Sequence, residues 1–281
     1  MALELITADM RLAEHANKTT MVIAGRPKVG KTSLIHTLPA DRTLFVDLEA
    51  GMKSAQGSAV ASIPIRKFED AIDLACVISG PDPASITGMY SEIHYNNAIK
   101  VYGGLGLDRY KIYFWDSITD LTRLAMVWAR VQPEAFSEKT GKPDLRGAYG
   151  AVGREVVRLL KHVQHAPGKD IIFIGGLDHY WNDYGKEVYE LQTEGQKTGS
   201  ELPFIVDQII TMSDFDYVDG IGFTHNIGIG QHRAFCCRSP NPWGLPAGDR
   251  SGNLDLIEEP HLGRLMDKIN QPAKAVIDRL R

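Results

Sequence analysis

The sequence predicts an α/β fold: a mostly parallel β-sheet flanked by helices, followed by a C-terminal β-hairpin and a short helix. Two observations predict this class. Short apolar runs rich in β-branched and aromatic residues lack strict alternation, which is typical of strands covered on both faces. Segments with helical periodicity stand between these runs, and the alternation of strand and helix indicates parallel strands joined by right-handed crossovers.

Five apolar runs are the candidate strands. They lie at residues 20–25, 43–49, 110–116, 170–178 and 206–212. Helical periodicity predicts four helices between them, at residues 31–38, 68–79, 120–131 and 153–166. The last of these has the clearest apolar face, formed by Val156, Val157, Leu159, Leu160 and Val163. His162 and His165 fall on its polar side, where we expect both to face solvent.

The distal part of the chain carries shorter elements. Residues 225–238 predict a β-hairpin, and residues 261–269 predict a short amphipathic helix. Loops are expected near residues 80–109, 132–150, 178–203 and 239–260. No linker rich in Pro, Gly or Ser divides the chain, so we expect one domain over residues 1–281, with a core at about 18–215 and a C-terminal extension at about 216–281.

Bulk composition restricts the function classes. The 281 residues are 43% hydrophobic and carry a net charge of −4, so a nucleic-acid partner would need local basic loops. The three cysteines contain no C-x-x-C pair, which argues against a disulfide framework or a zinc site and favours a reducing cytoplasm. The N-terminus has no apolar run typical of a signal peptide, and no run of 18 apolar residues predicts a membrane span.

A glycine-rich loop follows the first candidate strand. Residues 25–33, "GRPKVGKTS", match the pattern G-x-x-x-x-G-K-[ST], and the strand before and the helix after the loop are the context of a P-loop. We predict that the whole loop binds nucleotide phosphates through Gly25, Arg26, Pro27, Lys28, Val29, Gly30, Lys31, Thr32 and Ser33. The pattern assigns Lys31 to the β- and γ-phosphates and the Thr32 hydroxyl to Mg²⁺. The alternative is a glycine-rich turn that matches by chance.

Besides the P-loop hydroxyl, Mg²⁺ requires an acidic residue from another strand, and Asp116 is the candidate. It ends the apolar strand at 110–116 and is followed by Ser117. The alternative is that Asp116 or Ser117 caps the next helix, since both residue types cap well. The two interpretations are compatible.

A catalytic base is predicted at the end of the strand after the loop. Glu49 in "LFVDLEAG" could polarise a water for attack on the γ-phosphate, and Asp47 on the same strand face is the second candidate. The alternative is an exposed acid at a strand end.

Three motifs together resemble the RecA-like P-loop ATPases: "GRPKVGKTS", "FVDLEAG" with the family's catalytic glutamate on Glu49, and "FWDSITDL" with Asp116 and Ser117. The stretches "GAYGAVGREVVRLLKHVQH", "TGSELPFIVDQIITM" and "AGDRSGNLDLIEEPHLGRLM" resemble phage-encoded members related to single-strand annealing proteins. The resemblance spans most of residues 20–269. It implies ATP and Mg²⁺ as cofactors, a homo-oligomeric ring or filament, and a place in the cytoplasm of a bacterial host.

The resemblance also implies that loops in the second half of the sheet face single-stranded DNA. The first of them offers Phe136, Lys139, Lys142, Arg146 and Tyr149, and the second offers Tyr180, Trp181, Tyr184, Lys186 and Lys197. Cations can follow a phosphate backbone while aromatic rings stack on bases. However, residues 178–200 hold five acidic and two basic groups, which disfavours direct binding and favours recruitment by a single-strand binding protein. An ordinary solvated loop is the alternative.

Two further roles follow from the resemblance. A γ-phosphate sensor is expected at the end of the fourth strand, where this chain has Asp178 and His179. A cation supplied to the neighbouring subunit's ATP is expected among Arg233, Arg238 and Arg250, and Arg250 in "GDRSG" is the candidate. Pairing of these arginines with acids of the same chain is the alternative.

These observations favour an ATP-hydrolysing protein of DNA recombination or single-strand annealing. A regulatory or assembly ATPase without a DNA partner is the second hypothesis, and the acidic second loop is its best argument. A small-molecule phosphotransferase is the third, but the sequence has no dense cluster of arginines typical of a lid.

Overall fold

The structure is a computed structural model that describes residues 7, 18–49, 51–226 and 228–272. Most of the N-terminal stretch that lacks a signal-peptide pattern, and the end of the C-terminal extension, lie outside these ranges. Within them, eleven strands join one sheet. The strands are β1 (Thr20–Gly25), β2 (Thr43–Asp47), β3 (Ala61–Pro64), β4 (Ile112–Asp116), β5 (Asp170–Trp181), β6 (Glu187–Gln192), β7 (Gln208–Val218), β8 (Gly222–His225), β9 (His232–Cys236), β10 (Gly248–Asp249) and β11 (Ile257–Glu258).

The described ranges also contain seven α-helices. They are α1 (Met52–Ala55), α2 (Phe68–Ser79), α3 (Glu92–Tyr102), α4 (Ile118–Ala129), α5 (Leu145–Gln164), α6 (Gln196–Ile205) and α7 (Leu262–Ile269). Four short 3₁₀ helices complete this part of the chain, at Thr32–Thr37, Gly103–Leu105, Leu107–Arg109 and Pro133–Ala135.

Six parallel strands form the centre of the sheet, in the order β3-β2-β4-β5-β1-β7. Antiparallel strands extend it: β9 and β11 beyond β7, and β6 beside the far end of β5. In the parallel register, Gly25 lies opposite Gly176, and Asp47 lies opposite Asp116. The carboxyl ends of these strands therefore meet along one edge, where ligands bind in open α/β sheets.

Apolar side chains cover both faces of the sheet, as the predicted fold class requires. Helices α2, α4 and α5 pack on one face, with buried residues such as Leu121 and Val156. The Thr32–Thr37 helix and α7 cover the other face through residues such as Leu34 and Leu265. All five residues of the predicted apolar face at 153–166 are buried, so the predicted α/β class and this helix face are confirmed.

Several predicted elements differ from the structure. The helix expected at 31–38 is a 3₁₀ helix over Thr32–Thr37. The hairpin expected at 225–238 is wrong, because Phe215 on β7 pairs with both His225 and His232. β8 and β9 thus flank β7 instead of pairing with each other.

All four predicted loops contain regular structure, although the last, at 239–260, holds only the two-residue strands β10 and β11. Helix α3 lies within 80–109, where the Ser91 hydroxyl accepts a hydrogen bond from the amide of His94 and caps the helix. Helix α5 begins at Leu145, after an Asp144 cap. Residues 178–203 form the distal half of a β5–β6 hairpin and most of α6, so the loop expected there is wrong. None of the helices in the described ranges is long and apolar enough to cross a membrane.

Candidate functional site

The P-loop leaves β1 at the edge where the parallel strands end. Gly25 packs so tightly that a Cβ there would lie 2.7 Å from the Met212 carbonyl oxygen on β7. Gly30 has a φ of +105°, which favours glycine, and a Cβ there would lie 3.0 Å from a guanidinium nitrogen of Arg233. Both glycines are therefore required by the local packing and backbone conformation.

The loop forms one wall of a cavity of about 560 Å³. Six of the nine predicted loop residues line it: Pro27, Lys28, Gly30, Lys31, Thr32 and Ser33. The other three do not. Gly25 lies in the buried end of β1, Val29 is buried in the core, and Arg26 pairs with Asp214. The predicted loop residues thus divide into those that face the cavity and those that hold the loop in place.

The Lys31 side chain is held in place by backbone carbonyl groups at the start of the P-loop. Its ammonium group donates hydrogen bonds to the carbonyl oxygens of Gly25 at 2.8 Å and Arg26 at 2.9 Å. Burial lowers the pKa of Lys31, and the nearby carboxyl groups of Asp116 and Glu49 oppose this shift. A partly desolvated ammonium at the mouth of a glycine-rich loop can attract phosphate strongly, because few water molecules screen it.

Asp116 and Thr32 meet at the bottom of the cavity. The Thr32 hydroxyl donates to Asp116 Oδ2 at 2.5 Å, while Asp116 Oδ1 is buried without a hydrogen-bond partner. Burial raises the pKa of Asp116 to about 7. The Ser117 side chain caps α4 by accepting a hydrogen bond from the Asp120 amide. Asp116 is therefore the buried acid and Ser117 the helix cap, so the two interpretations of this pair are compatible, as expected.

The chemistry of this oxygen pair fits Mg²⁺. Proteins hold Mg²⁺ through one or two carboxylates, with waters and substrate phosphates completing the shell. Here the carboxylate of Asp116, with its unpartnered Oδ1, and the adjacent Thr32 hydroxyl supply two oxygen ligands of this kind. Among the described residues, no group of three or more His, Cys, Asp or Glu side chains could hold a metal ion, so phosphates would have to supply further ligands.

Glu49 and Asp47 have different surroundings. Glu49 lines the cavity, and although the residue as a whole is exposed, the cavity wall partly desolvates its carboxyl group. This desolvation raises its pKa, and a hydrogen bond with Ser117 opposes the rise. Asp47 is buried and pairs with Arg66, with 2.7 Å between Oδ2 and the guanidinium nitrogen. The structure therefore brings Glu49 to the cavity and leaves Asp47 outside its lining.

Arg233 on β9 also lines the cavity, beside Gly30. Asp214 lies between it and Arg26, at 3.9 Å from Arg233 and 3.4 Å from Arg26. Arg250 lies outside the lining and pairs with Asp207 at 3.3 Å in the same chain. Arg233 was one of three candidates for a cation acting on a neighbouring subunit, and Arg250 was preferred, because nothing in the sequence around Arg233 indicates the β7–β9 pairing that brings it to this cavity.

Gln192 is a cavity residue that the sequence analysis missed. It ends β6, and its side chain lies against Gly176 in the cavity wall. The Thr119 hydroxyl accepts from the Gly176 amide and donates to the Gln192 carbonyl, both at 2.9 Å. Thr119 thus ties the start of α4 to both strands of the β5–β6 hairpin.

The predicted sensor residues lie elsewhere on that hairpin. Asp178 and His179 do not line the cavity, and His179 pairs with Glu187 at 2.6 Å and stacks on Tyr189. Beyond them, the hairpin ends in exposed aromatic side chains: Trp181 is 67% exposed and Tyr184 is 94% exposed. The hairpin therefore joins the cavity at one end to aromatic rings in solvent at the other.

Comparison with known proteins gives one family match. A family model described as an AAA domain matches residues 17–251. No curated protein matches the chain by sequence.

Two solved structures resemble the chain remotely. One is a prototypical ATPase from the type III secretion system of pathogenic bacteria, with 15% identity and a TM-score of 0.39. The match covers 69% of this chain and 51% of that protein, so the chain spans about half of its length. The other is the RadB recombinase, with 13% identity, a TM-score of 0.33 and coverage of 70% and 74%, respectively. TM-scores this low do not identify a function.

Proposed function

Since the chain belongs to the AAA domain family and is a P-loop enzyme that hydrolyses ATP, we propose that it couples hydrolysis to single-stranded DNA. In this proposal it is a RecA-like ATPase of phage DNA recombination or single-strand annealing. It works as a homo-oligomer and meets the strand directly or through a single-strand binding protein. The observation that best supports this proposal is the hydrogen-bonded connection from the cavity to the β5–β6 hairpin, which ends in exposed aromatic residues.

The cavity residues have distinct roles in the proposed reaction. Backbone amides of the P-loop and the Lys31 ammonium bind the β- and γ-phosphates. Thr32 and Asp116 hold Mg²⁺, which neutralises charge on the phosphate oxygens when it is bound. Glu49 orients the attacking water and accepts its proton, and the raised pKa of its carboxyl group makes it a stronger base than an ordinary glutamate.

Arg233 supplies a cation to the phosphates from the same chain. Its guanidinium lies beside Gly30, and it shares the carboxylate of Asp214 with Arg26. One carboxylate between two guanidinium groups leaves positive charge available to the cavity. Arg250 remains the candidate for a cation that acts on the ATP of a neighbouring subunit.

Arg233→Ala is expected to slow ATP hydrolysis by about a hundredfold, because removal of one donor to the transition-state charge has about that effect. Steady-state phosphate release measures it. The matched control is Arg238→Ala, since Arg238 is exposed in the same segment and lies outside the cavity lining. A slow Arg250→Ala variant beside a normal Arg233→Ala variant would assign the role to Arg250 instead.

The β5–β6 hairpin carries the proposed DNA contact. The Thr122 hydroxyl accepts from the Glu194 amide at 3.0 Å, so a second bond from α4 holds the segment that follows β6. Because Gln192 lines the cavity and these bonds link α4 to the hairpin, a shift of Gln192 on phosphate binding would move the hairpin as well. At its tip, Trp181 and Tyr184 are free to stack on bases, which contributes about 1–3 kcal/mol per base.

A double variant tests this contact. Trp181→Ala with Tyr184→Ala is expected to weaken binding of a fluorescent single-stranded oligonucleotide by at least about tenfold, since two stacking rings are lost. Fluorescence anisotropy over a salt series measures the affinity. Phe204→Ala is the control, because Phe204 is an exposed aromatic residue on α6 rather than on the hairpin. Equal affinity of the wild type and the double variant would remove the hairpin from the interface.

A regulatory or assembly ATPase is the second candidate function. The acidic side chains of the hairpin favour it: Asp178, Asp183, Glu187 and Glu190 outnumber Lys186. Such a surface repels phosphate and attracts basic protein segments. This function predicts an oligonucleotide affinity that stays negligible at low salt, with or without ATP and a single-strand binding protein.

A further inference from the structure

A second cavity lies on the helical face of the sheet, between α5, α6 and the segment after α2. Its volume is about 790 Å³, within the range of small-molecule sites. It shares no lining residue with the P-loop cavity. The proposed DNA contact does not involve it.

One wall of this cavity is a basic stripe. Arg154, Arg158 and Lys161 recur at helical spacing on one face of α5, and Lys197 projects from α6 opposite them. Residues on α5 with this spacing face the same way, so their charges converge on one space. The cavity is therefore built to hold an anion if these charges are not neutralised by the protein itself.

The protein neutralises them only in part. Arg154 pairs with Glu134 and Glu155. Lys161 and Lys197 share one carboxylate, that of Glu201, at 3.2 and 4.0 Å.

Arg158 has mostly neutral partners. It donates hydrogen bonds to the Ser85 hydroxyl and the Met89 carbonyl, and it approaches Glu155 no closer than 3.9 Å. Asp82 is the remaining acid in the lining, and its carboxylate accepts bonds from the amide of Ala84 and the hydroxyl of Ser85. Among the lining residues, four basic side chains thus face only two acidic ones, Asp82 and Glu201, while the acids paired with Arg154 lie outside the lining.

Buried polar groups in the wall lack partners. The Tyr90 hydroxyl, His162 Nε2 and the Ser79 hydroxyl each make no hydrogen bond, and Tyr90 is only 1% exposed. An unsatisfied buried polar atom destabilises the folded state, so a ligand or the waters it brings would relieve this cost. His162 was expected to face solvent, but its side chain is partly buried: its ring packs 4.1 Å from that of Tyr90, and desolvation lowers its pKa.

We propose that this cavity binds a small phosphorylated molecule. Arg158, Lys161 and Lys197 bind the phosphate, and the groups around Tyr90 and His162 accommodate the polar body of the ligand. Phosphate suits this lining better than a lone carboxylate, because its several oxygens can meet cations from two helices at once.

Calorimetric titration with inorganic pyrophosphate tests the site. The P-loop is first saturated with Mg²⁺ and a non-hydrolysable ATP analogue, so that only a second site remains. Saturable binding is expected, and Lys161→Gln with Lys197→Gln should weaken it by at least about tenfold, since two charge-assisted hydrogen bonds are lost. Both lysines are more than half exposed, so the double variant should fold normally.

The control is Lys67→Gln with Lys111→Gln, which removes two exposed lysines outside the cavity and outside the loops expected to face DNA. Absence of saturable pyrophosphate binding, or binding that the Lys161 and Lys197 variant leaves unchanged, would overturn the proposal. A ten-nucleotide single strand gives the second arm. If the wild type binds it but not pyrophosphate, and the same variant abolishes that binding, the stripe is a nucleic-acid groove and the small-molecule site is refuted.

Discussion

Lys31→Ala is expected to reduce ATP hydrolysis by about a hundredfold or more, because it removes the ammonium group that meets the β- and γ-phosphates. The structure positions this ammonium in advance. It lies within 2.9 Å of two loop carbonyl oxygens, and its lowered pKa reflects burial. Phosphate release measures turnover, and a fluorescent ATP analogue measures the accompanying loss of affinity.

Lys28→Ala is the matched control for this prediction. Lys28 lies in the same loop and lines the same cavity, but it makes no hydrogen bond to the carbonyl oxygens that hold Lys31. Both variants lose one positive charge, so a general electrostatic effect would reduce both rates alike. Near-normal turnover in Lys31→Ala would show that the P-loop cavity is not the hydrolytic site.

Glu49→Gln is expected to slow hydrolysis by about a hundredfold or more while ATP affinity stays within a few-fold of the wild type, since general base catalysis contributes on that scale. The amide keeps the shape of the side chain but cannot accept a proton from water. Single-turnover phosphate release and nucleotide binding, measured on the same sample, separate the chemical step from binding.

Asp47→Asn is the comparison that decides whether Glu49 or Asp47 is the catalytic base. Asp47 is buried against Arg66, so its replacement should reduce stability more than turnover. Wild-type rates in Glu49→Gln, with slow hydrolysis in a folded Asp47→Asn variant, would transfer the role of base to Asp47.

Local motifs predicted much of the nucleotide cavity. Asp116 and Glu49 each end or follow a buried strand, and parallel strands bring their carboxyl ends to one edge, so the two acids had to lie near the P-loop. Thr32 and Lys31 follow from the loop pattern alone. Short stretches of sequence thus suffice to predict the buried strands, the position of the P-loop and the acids at the strand ends.

Antiparallel pairing places the two cavity residues that were not predicted. Arg233 reaches the cavity because β9 pairs with β7, where Arg233 lies opposite Asp214. Gln192 reaches it because β6 pairs with β5, where it lies opposite Gly176. The β7–β9 register is not encoded by a contiguous motif, because the chain between the two strands includes β8, which also pairs with β7.

One turn signal was available and was missed. Asn182 accepts bonds from the amides of Tyr184 and Lys186, and Gly185 has a φ of +67°, so "NDYG" is a turn between two strands. The burial of His162 had no such signal. It depends on Tyr90, which lies far away in sequence and packs on α5 only in the folded chain.

If ATP hydrolysis in this cavity is coupled to single-stranded DNA, the strand should change the rate of hydrolysis. The most direct test is the steady-state ATPase rate of the wild type, measured with and without a long single strand at low salt. A several-fold increase that declines as salt is added is expected, because phosphate contacts are salt-sensitive. An unchanged rate, also in the presence of a single-strand binding protein, would show that hydrolysis and DNA binding are not coupled.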